Sequence, residues 1–250
     1  MIHGYQPYIV LSTPRSGSQH LTYLLHSHPH IKSYSEPFQP YYHFGNPDNT
    51  IFQQSWIYPL YKRYRDEFPV FLVKYLLFKK YTSQYKAVGF KIFYDQAQQS
   101  KARYVWPYLR SLTDLKIIHL KRKNMLKSLV SYEVGDQTNK FMKFDTKPSP
   151  DIQIRLTHAQ CEAYFRHTLQ SQEKFASYFR NHSILDVAYE SLAESPKKEI
   201  LKILQFLGIS PMTLTSPLKK QITRPLGTII MNYTSLKKSF AHTKWAEFFE

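Results

Sequence analysis

The feature that constrains the fold most is a short apolar run near the N-terminus. A polar turn follows it, and then a pattern typical of a helix. Residues 8–11 are apolar, residues 12–20 are mostly polar, and residues 21–25 resume an apolar pattern. An apolar run of this length that ends in a turn predicts a buried strand, and the spacing that follows predicts a helix. Such a turn aims backbone N–H groups and a helix dipole at one point, which suits an anion. The segment therefore predicts an α/β fold with a phosphate or sulfate site.

The residues of this turn strengthen the prediction of an anion site. Arg15 adds a fixed positive charge, Ser16 and Ser18 add hydroxyl donors, and Gly17 lets the backbone approach a ligand closely. The nucleotide-hydrolase pattern G-x-x-x-x-G-K-[ST] is absent, because Gln19 follows Ser18 and no glycine stands five residues before Gly17. An ordinary strand-to-helix turn with a serine cap is the alternative.

Length and composition predict one domain that spans residues 1–250, with 42% hydrophobic residues to build its core. A single cysteine, Cys161, excludes an internal disulfide and a cysteine-based zinc cage. No apolar stretch is long enough to span a bilayer, and the N-terminus lacks the pattern of a signal peptide. We therefore expect a cytoplasmic protein without a transmembrane segment.

The formal charge of +16 favours anionic partners. The lysines and arginines are scattered, however, and no zinc-finger, RRM or KH signature is present. We therefore expect no sequence-specific nucleic-acid binding, while a non-enzymatic anion- or RNA-binding module stays open as an alternative function.

Short apolar runs alternate with helical patterns, which predicts a central parallel sheet flanked by helices. The predicted strands are Tyr8–Ser12, Ile31–Ser35, Ala87–Phe93, Leu115–Leu120 and Ser183–Val187. The predicted helices are Ser18–His28, Lys101–Ser111, Asn124–Val134, Ile154–Arg180, Pro196–Leu207 and Thr228–Ala241. Three stretches have loop composition: Gln39–Trp56, Asp136–Asp151 and Gln221–Thr228.

Three segments, in this order, resemble one known family. Thr13–Ser18 resembles the 5′-phosphosulfate loop of sulfotransferases that use 3′-phosphoadenosine-5′-phosphosulfate (PAPS), and is closest to the bacterial, carbohydrate-type branch. Ile117–Ser131 resembles that family's 3′-phosphate motif, with Arg122 and Ser131 at the matching positions. Asp186–Gly208 looks like the family's late strand and helix.

The resemblance implies a P-loop-like sulfotransferase fold and transfer of a sulfuryl group from PAPS to a hydroxyl, without a metal. It implies a carbohydrate or glycolipid acceptor, although a polyketide or another small alcohol fits as well. The implied cofactor-binding residues are Pro14, Arg15, Ser16, Gly17, Ser18, Gln19, Arg122 and Ser131. Gln19 and His20 depart from the residues common in the family after this loop.

Glu36, Arg15 and Lys91 are the candidate catalytic residues. The resemblance implies a base at Glu36, and Pro37 keeps Glu36 extended at the end of a predicted strand. Arg15 would stabilise the charge that develops on the leaving phosphate. Lys91 lies inside an apolar strand, where a charge must find an anion or reach water.

Each of these assignments has an alternative. Glu36 could only pair with Arg15 or a lysine, Asp95 is a weaker candidate for the base, and Ser128 replaces Ser131 if the helix register differs by one turn. A nucleotide or small-molecule kinase is the alternative enzyme, although the Walker lysine is missing.

Other charged or apolar segments carry weaker predictions. In related enzymes a late basic segment folds over the cofactor, and Lys219, Lys220 and Arg224 are its candidates, but a solvated loop explains them equally well. Three histidines, His26, His28 and His30, suit a helix C-terminus better than a zinc site. Residues 68–81 predict a core or lid helix and leave peripheral membrane contact open. The sequence does not identify the acceptor or the oligomeric state.

Overall fold

A five-stranded parallel sheet forms the centre of the structure. The structure is a computed structural model that describes residues 4–39, 58–81, 84–145 and 151–249. The strands are β1 (Gln6–Ser12), β2 (Ile31–Tyr34), β3 (Ala87–Phe93), β4 (Lys116–Lys121) and β5 (Ile184–Ala188), in the spatial order β2-β3-β1-β4-β5. The predicted α/β class with a central parallel sheet is confirmed.

The register of the sheet brings the carboxyl ends of the middle strands to one edge. Ser12 of β1 is paired with Phe93 of β3, and Leu11 is paired with His119 of β4. β1 lies in the centre of the sheet, and residues 7–12 are buried. A central parallel strand is covered on both faces, which explains why its sequence is a continuous apolar run.

Helices cover both faces of the sheet. In the described part of the chain they are α1 (Ser18–His26), α2 (Tyr58–Glu67), α3 (Pro69–Phe71), α4 (Val105–Ser111), α5 (Met125–Thr138), α6 (His158–Tyr178), α7 (Tyr189–Glu194), α8 (Pro196–Leu207), α9 (Leu226–Ile229) and α10 (Tyr233–Phe240). A π-helical segment, Leu72–Leu77, continues α3, and 3₁₀ segments cover Ser100–Tyr104 and Ala246–Phe249. None of these described helices is long and apolar enough to cross a bilayer.

The predicted helix Ile154–Arg180 begins later than expected, at His158. Thr157 caps it, because its hydroxyl accepts from the backbone of Gln160 while the Gln160 side chain accepts from the backbone of Thr157. Ile154 instead forms a parallel bridge with Ile230.

The same bridge corrects the predicted helix Thr228–Ala241. The Ile154 N–H donates to the Ile229 carbonyl at 2.8 Å, and the Met231 N–H donates to the Ile154 carbonyl at 2.9 Å. The chain therefore leaves the helical conformation at Ile230 and divides into α9 and α10.

The predicted loops fall only partly within the described residues. Residues 40–57 and 146–150 lie outside them, so most of Gln39–Trp56 and part of Asp136–Asp151 have no structural outcome. α5 runs to Thr138, three residues into the second of these predicted loops, and α9 begins at Leu226, inside the predicted loop Gln221–Thr228.

Residues 68–81 contribute to the core, as predicted for a core helix. Leu72, Val73 and Leu77 are buried in the apolar cluster that covers one face of the sheet. Phe71 and Tyr75 are exposed on the other side of this segment. Peripheral membrane contact through this segment stays a prediction.

Candidate active site

The loop between β1 and α1 has a backbone conformation that depends on glycine. Arg15 and Gly17 have positive φ angles of 64° and 84°, and Gly17 is the N-cap of α1. A Cβ atom on Gly17 would lie 2.3 Å from a ring carbon of Tyr189. The Ser16 hydroxyl donates to the Thr13 carbonyl at 2.8 Å and holds the turn from inside. No side chain of the described residues caps α1, which leaves its first N–H groups for a ligand.

Arg122 joins the second predicted motif to the first. It follows β4, and its Nη1 donates to the Arg15 carbonyl oxygen at 2.9 Å. Its guanidinium lies 4.8 Å from the centroid of the Tyr189 ring, while its buried Nε has no hydrogen-bond partner among the described residues. A buried cationic donor without an acceptor fits an anionic ligand.

Glu190 and Asn124 fix the turn that carries Arg122. The Glu190 carboxylate accepts from the backbone N–H of Lys123 at 3.0 Å and from that of Asn124 at 3.3 Å. Asn124 caps α5, because its side chain accepts from the Lys127 N–H at 3.0 Å. The start of α7 and the N-terminus of α5 therefore position the turn that carries Arg122.

The Arg15 side chain points toward α5 and the late loop. Its Nε donates to the Ser131 hydroxyl at 3.0 Å, its Nη1 donates to the Phe141 carbonyl at 2.6 Å, and its Nη2 donates to the Gln221 side chain. Ser131 lines the cavity described below, whereas Ser128, one helical turn earlier, does not. The geometry therefore favours Ser131 over Ser128.

Glu36 and Lys91 form a largely buried ion pair at the carboxyl edge of the sheet. The Lys91 Nζ lies 2.7 Å from the Glu36 Oε1, and only 2% of the lysine side chain is exposed. Burial lowers the pKa of Lys91, and the charge of Glu36 partly offsets that effect. Asp95 also lines the cavity, and its Oδ1 lies 2.9 Å from the Nε2 of the exposed His167 on α6.

One cavity of about 1670 Å³ brings most of the predicted residues together. The predicted site residues that line it are Pro14, Arg15, Gly17, Ser18, Gln19, Glu36, Lys91, Arg122 and Ser131. Ser16 does not line it, because its hydroxyl is turned back to Thr13. Of the late basic residues, Lys219 and Lys220 line the cavity, whereas Arg224 binds Asp151 and the Ile152 carbonyl.

The charges of the cavity favour an anion. Burial and the neighbouring Arg122 lower the pKa of Arg15 to about 10, and burial lowers the pKa of Arg122. Two desolvated guanidiniums that repel each other are stabilised by an anion placed between them. Arg15 remains protonated at neutral pH even with this shift.

The histidines near the end of α1 make structural contacts. His28 contacts the Ser210 carbonyl at 3.2 Å, and His30 contacts the Gln84 carbonyl at 2.8 Å. No group of three or more histidine, cysteine, aspartate or glutamate side chains within the described ranges could hold a metal ion.

The sequence did not predict the roles of Tyr189, Gln96, Phe141 and Gln221. Tyr189 packs on Arg122, Gln96 donates to Glu36, and Phe141 and Gln221 accept from Arg15. Each partner is at least 60 positions away in the chain, so no local pattern points to these residues. Tyr189 lies within a segment that resembles the family's late strand and helix, and that resemblance was the only signal for it.

Comparison with protein-family models identifies the family of this chain. A family model described as "Sulfotransferase family" matches residues 7–213. "Nodulation protein H" of Rhizobium meliloti (strain 1021) is 29% identical over 255 residues, which cover 98% of this chain and 95% of the relative. "Nodulation protein H" of Rhizobium tropici is 27% identical over 255 residues, covering 100% of this chain and 96% of the relative.

A solved structure has a similar fold. The sulfotransferase domain from the curacin biosynthetic pathway matches with a TM-score of 0.52 and 15% sequence identity, covering 96% of this chain and 92% of that domain.

Proposed function

The chain belongs to the sulfotransferase family, and on that premise we propose that it transfers the sulfuryl group of PAPS to a hydroxyl of a carbohydrate or glycolipid. The observation that supports the proposal most is that Arg15, Arg122, Ser131, Lys91 and Glu36 line one cavity. Cationic donors for a nucleotide that carries several negative charges and a carboxylate for an acceptor hydroxyl are thus available in one space. Family membership does not support the kinase or RNA-binding alternatives.

The donor's two ends would bind to the two joined motifs. The 5′-phosphosulfate would lie at the N-terminus of α1, where the N–H groups that follow Gly17 and the helix dipole favour negative charge. The 3′-phosphate would be bound by Arg122 and Ser131, and the unpartnered Nε of Arg122 supports this assignment. Pro14, Ser16, Ser18 and Gln19 would complete the loop around the phosphosulfate.

Transfer would proceed in line between two oxygens. The Glu36 carboxylate would take the proton of the acceptor hydroxyl, whose oxygen forms a bond to sulfur. The bond between sulfur and the bridging oxygen breaks, and that oxygen leaves with the 5′-phosphate. Arg15 and Lys91 would stabilise the charge that develops during transfer. Arg15 would have to exchange some of its protein partners to do so.

Other residues that line the cavity support a carbohydrate acceptor. They are Gln98, Gln99, Asp66 and Tyr104. Amide and carboxylate groups hydrogen-bond to sugar hydroxyls, and an aromatic ring covers the apolar face of a sugar.

Sulfotransfer with labelled donor tests the proposal. The protein is incubated with ³⁵S-labelled PAPS and either cell extract or a panel of oligosaccharides, glycolipids and small alcohols, and products are identified by mass spectrometry. We expect labelled carbohydrate, and we expect no thermal shift with ATP. Label on small alcohols alone would contradict the acceptor class, and no label on any acceptor would contradict the reaction.

A further inference from the structure

We propose that Gln19 and Gln96 are positioning residues that hold the Lys91–Glu36 ion pair from its two sides. We call these two side chains the amide bracket. The inference rests on the proposed function, since it assumes that Glu36 is the base. It concerns two residues whose side chains contact the ion pair and lie on different segments, one on α1 and one just after β3.

Gln19 holds the lysine side of the pair. Its Oε1 accepts from the Lys91 Nζ at 2.5 Å and from the Ser35 hydroxyl at 3.0 Å. An ammonium group only donates, so the amide oxygen must face Lys91 and the NH₂ group must point elsewhere. The buried Nε2 has no acceptor at hydrogen-bond geometry in the described chain, and Gln19 lines the cavity. The Gln19 amide also interacts with the Tyr23 hydroxyl, which partly offsets the rise that burial causes in the pKa of Tyr23.

Gln96 holds the carboxylate side. Its Oε1 accepts from the Phe93 N–H at 3.0 Å, which directs its Nε2 to the Glu36 Oε2 at 3.1 Å. The Trp106 indole N–H donates to the backbone carbonyl of Gln96 at 3.2 Å, and only 8% of Gln96 is exposed. The orientation of this amide is therefore determined by groups other than Glu36.

The bracket links the donor loop to the base. Gln19 lies in the first turn of α1, directly after the loop that would bind the phosphosulfate, and its oxygen contacts the lysine that pairs with Glu36. Among the described residues, Lys91 contacts the Oε1 of Glu36 and Gln96 donates to its Oε2. The carboxylate is thus fixed in rotation, which in-line transfer requires of a base.

The Gln96→Leu variant tests the carboxylate side. We expect kcat to fall about 10-fold or more while the dissociation constant of 3′-phosphoadenosine-5′-phosphate stays within about 3-fold, because a misplaced base slows the chemical step. The acidic limb of the kcat–pH profile should move to higher pH, since the carboxylate loses a donor to its charged form. If Gln96 only stabilised the fold, its loss would not change the pH at which kcat falls on the acidic side.

The Gln19→Leu variant and the double variant test the linkage. Both glutamines act on one ion pair, so the loss in kcat for the double variant should be smaller than the product of the single losses. The matched control is Gln6→Leu, because the Gln6 amide is hydrogen-bonded, to the backbone carbonyls of Pro7 and Asp114, but lies at the start of β1, at the other end of the strands from the ion pair. Gln6→Leu should keep the kcat and the pH profile of the wild type.

The outcomes separate this inference from the proposed function. If the wild-type protein shows no sulfotransfer, the proposed function is overturned. If the wild-type protein is active and Gln96→Leu has the same kcat and pH profile, only the amide bracket is overturned. If Gln96→Leu does not fold, Gln96→Glu keeps the acceptor for the Phe93 N–H and replaces the donor to Glu36, so it should show the same loss of kcat and shift of the limb.

Discussion

At the scale of single residues, the site depends on arginine rather than on positive charge in general. The Arg15 guanidinium contacts Ser131, Phe141 and Gln221 at once, and Arg122 contacts the Arg15 backbone and the Tyr189 ring. A lysine has one donor centre and cannot make a planar set of contacts of this kind.

Arg122→Ala should weaken binding of 3′-phosphoadenosine-5′-phosphate by about 10- to 100-fold, because a charge-assisted hydrogen bond contributes about 1.5–3 kcal/mol. Titration calorimetry measures the change. Lys123→Ala is the neighbouring control, since that side chain is exposed and does not line the cavity. Unchanged affinity in Arg122→Ala would remove Arg122 from the nucleotide site.

Glu36→Gln should slow turnover by about 10²-fold or more while nucleotide binding stays nearly intact, as expected for loss of a general base. Asp95→Asn tests the other carboxylate at this edge of the sheet. Steady-state rates with a sulfated product as readout compare the two. A normal rate in Glu36→Gln combined with a slow Asp95→Asn would transfer the role of base to Asp95.

The sequence indicated Arg15, Glu36, Lys91, Arg122 and Ser131 because each lies within a local pattern or a family motif. It could not indicate Gln96 or Tyr189 in these roles. Gln96 contacts a carboxylate 60 residues earlier in the chain, and Tyr189 packs on a guanidinium 67 residues earlier. Such partners depend on strand order, which periodicity alone does not determine.

At the scale of elements, the turn between β1 and α1 is shaped by a residue from another element. Gly17 has a positive φ, and the Tyr189 ring at the start of α7 leaves no room for a Cβ atom there. The strand and the helix on either side were predictable from their apolar patterns. The close approach of α7 was not, because it follows from the packing of β5 beside β4.

Gly17→Ala should lower stability by about 1–3 kcal/mol through backbone strain and should also abolish measurable nucleotide binding, because the loop must shift away from Tyr189. Gly208→Ala is a matched control: Gly208 also has a positive φ, of 74°, but a Cβ there would meet no atom within 4 Å. Urea unfolding and calorimetry on both variants separate the effects. Wild-type nucleotide affinity in Gly17→Ala would contradict a rigid loop.

The local sequence pattern does not predict every helix end correctly. Thr157 and Gln160 form a capping box that is visible in the sequence, yet the apolar pattern extended the predicted helix back to Ile154. The start of this helix depends on Ile230, which lies 76 positions later and pairs with Ile154 in a bridge. Propensity and periodicity do not include such long-range pairing.

At the scale of the whole molecule, the buried His119 of β4 contacts groups from both neighbouring parts of the sheet. Its Nε2 lies 2.6 Å from the Tyr94 hydroxyl, just after β3, and its Nδ1 lies 3.3 Å from the Asp186 carboxylate of β5. Burial and the nearby Lys121 lower the pKa of His119 to about 4, and Asp186 only partly offsets this. The folded state therefore holds this imidazole neutral at physiological pH.

Acid should destabilise the protein through His119. Its pKa in the folded state is below the ordinary value of 6.5, so the unfolded state binds the proton first. Stability is present above about pH 6.5 and is lost as pH falls toward about 4, by on the order of 2–3 kcal/mol. Urea unfolding from pH 7.5 to 4.5 measures this. His119→Gln should show a flatter dependence, and equal slopes in the two proteins would contradict the assignment.

The contacts of Arg15 with the Phe141 carbonyl and the Gln221 side chain have a kinetic consequence. The Phe141 carbonyl and the Gln221 side chain compete with the incoming nucleotide for Arg15. The apparent affinity of the protein for the nucleotide is therefore reduced, because only molecules in which Arg15 is released can bind it fully. In stopped-flow mixing, the observed association rate should level off at high nucleotide concentration. Gln221→Ala should bind the nucleotide more tightly and restore a linear dependence, whereas a linear dependence in the wild type would mean that the exchange is too fast to matter.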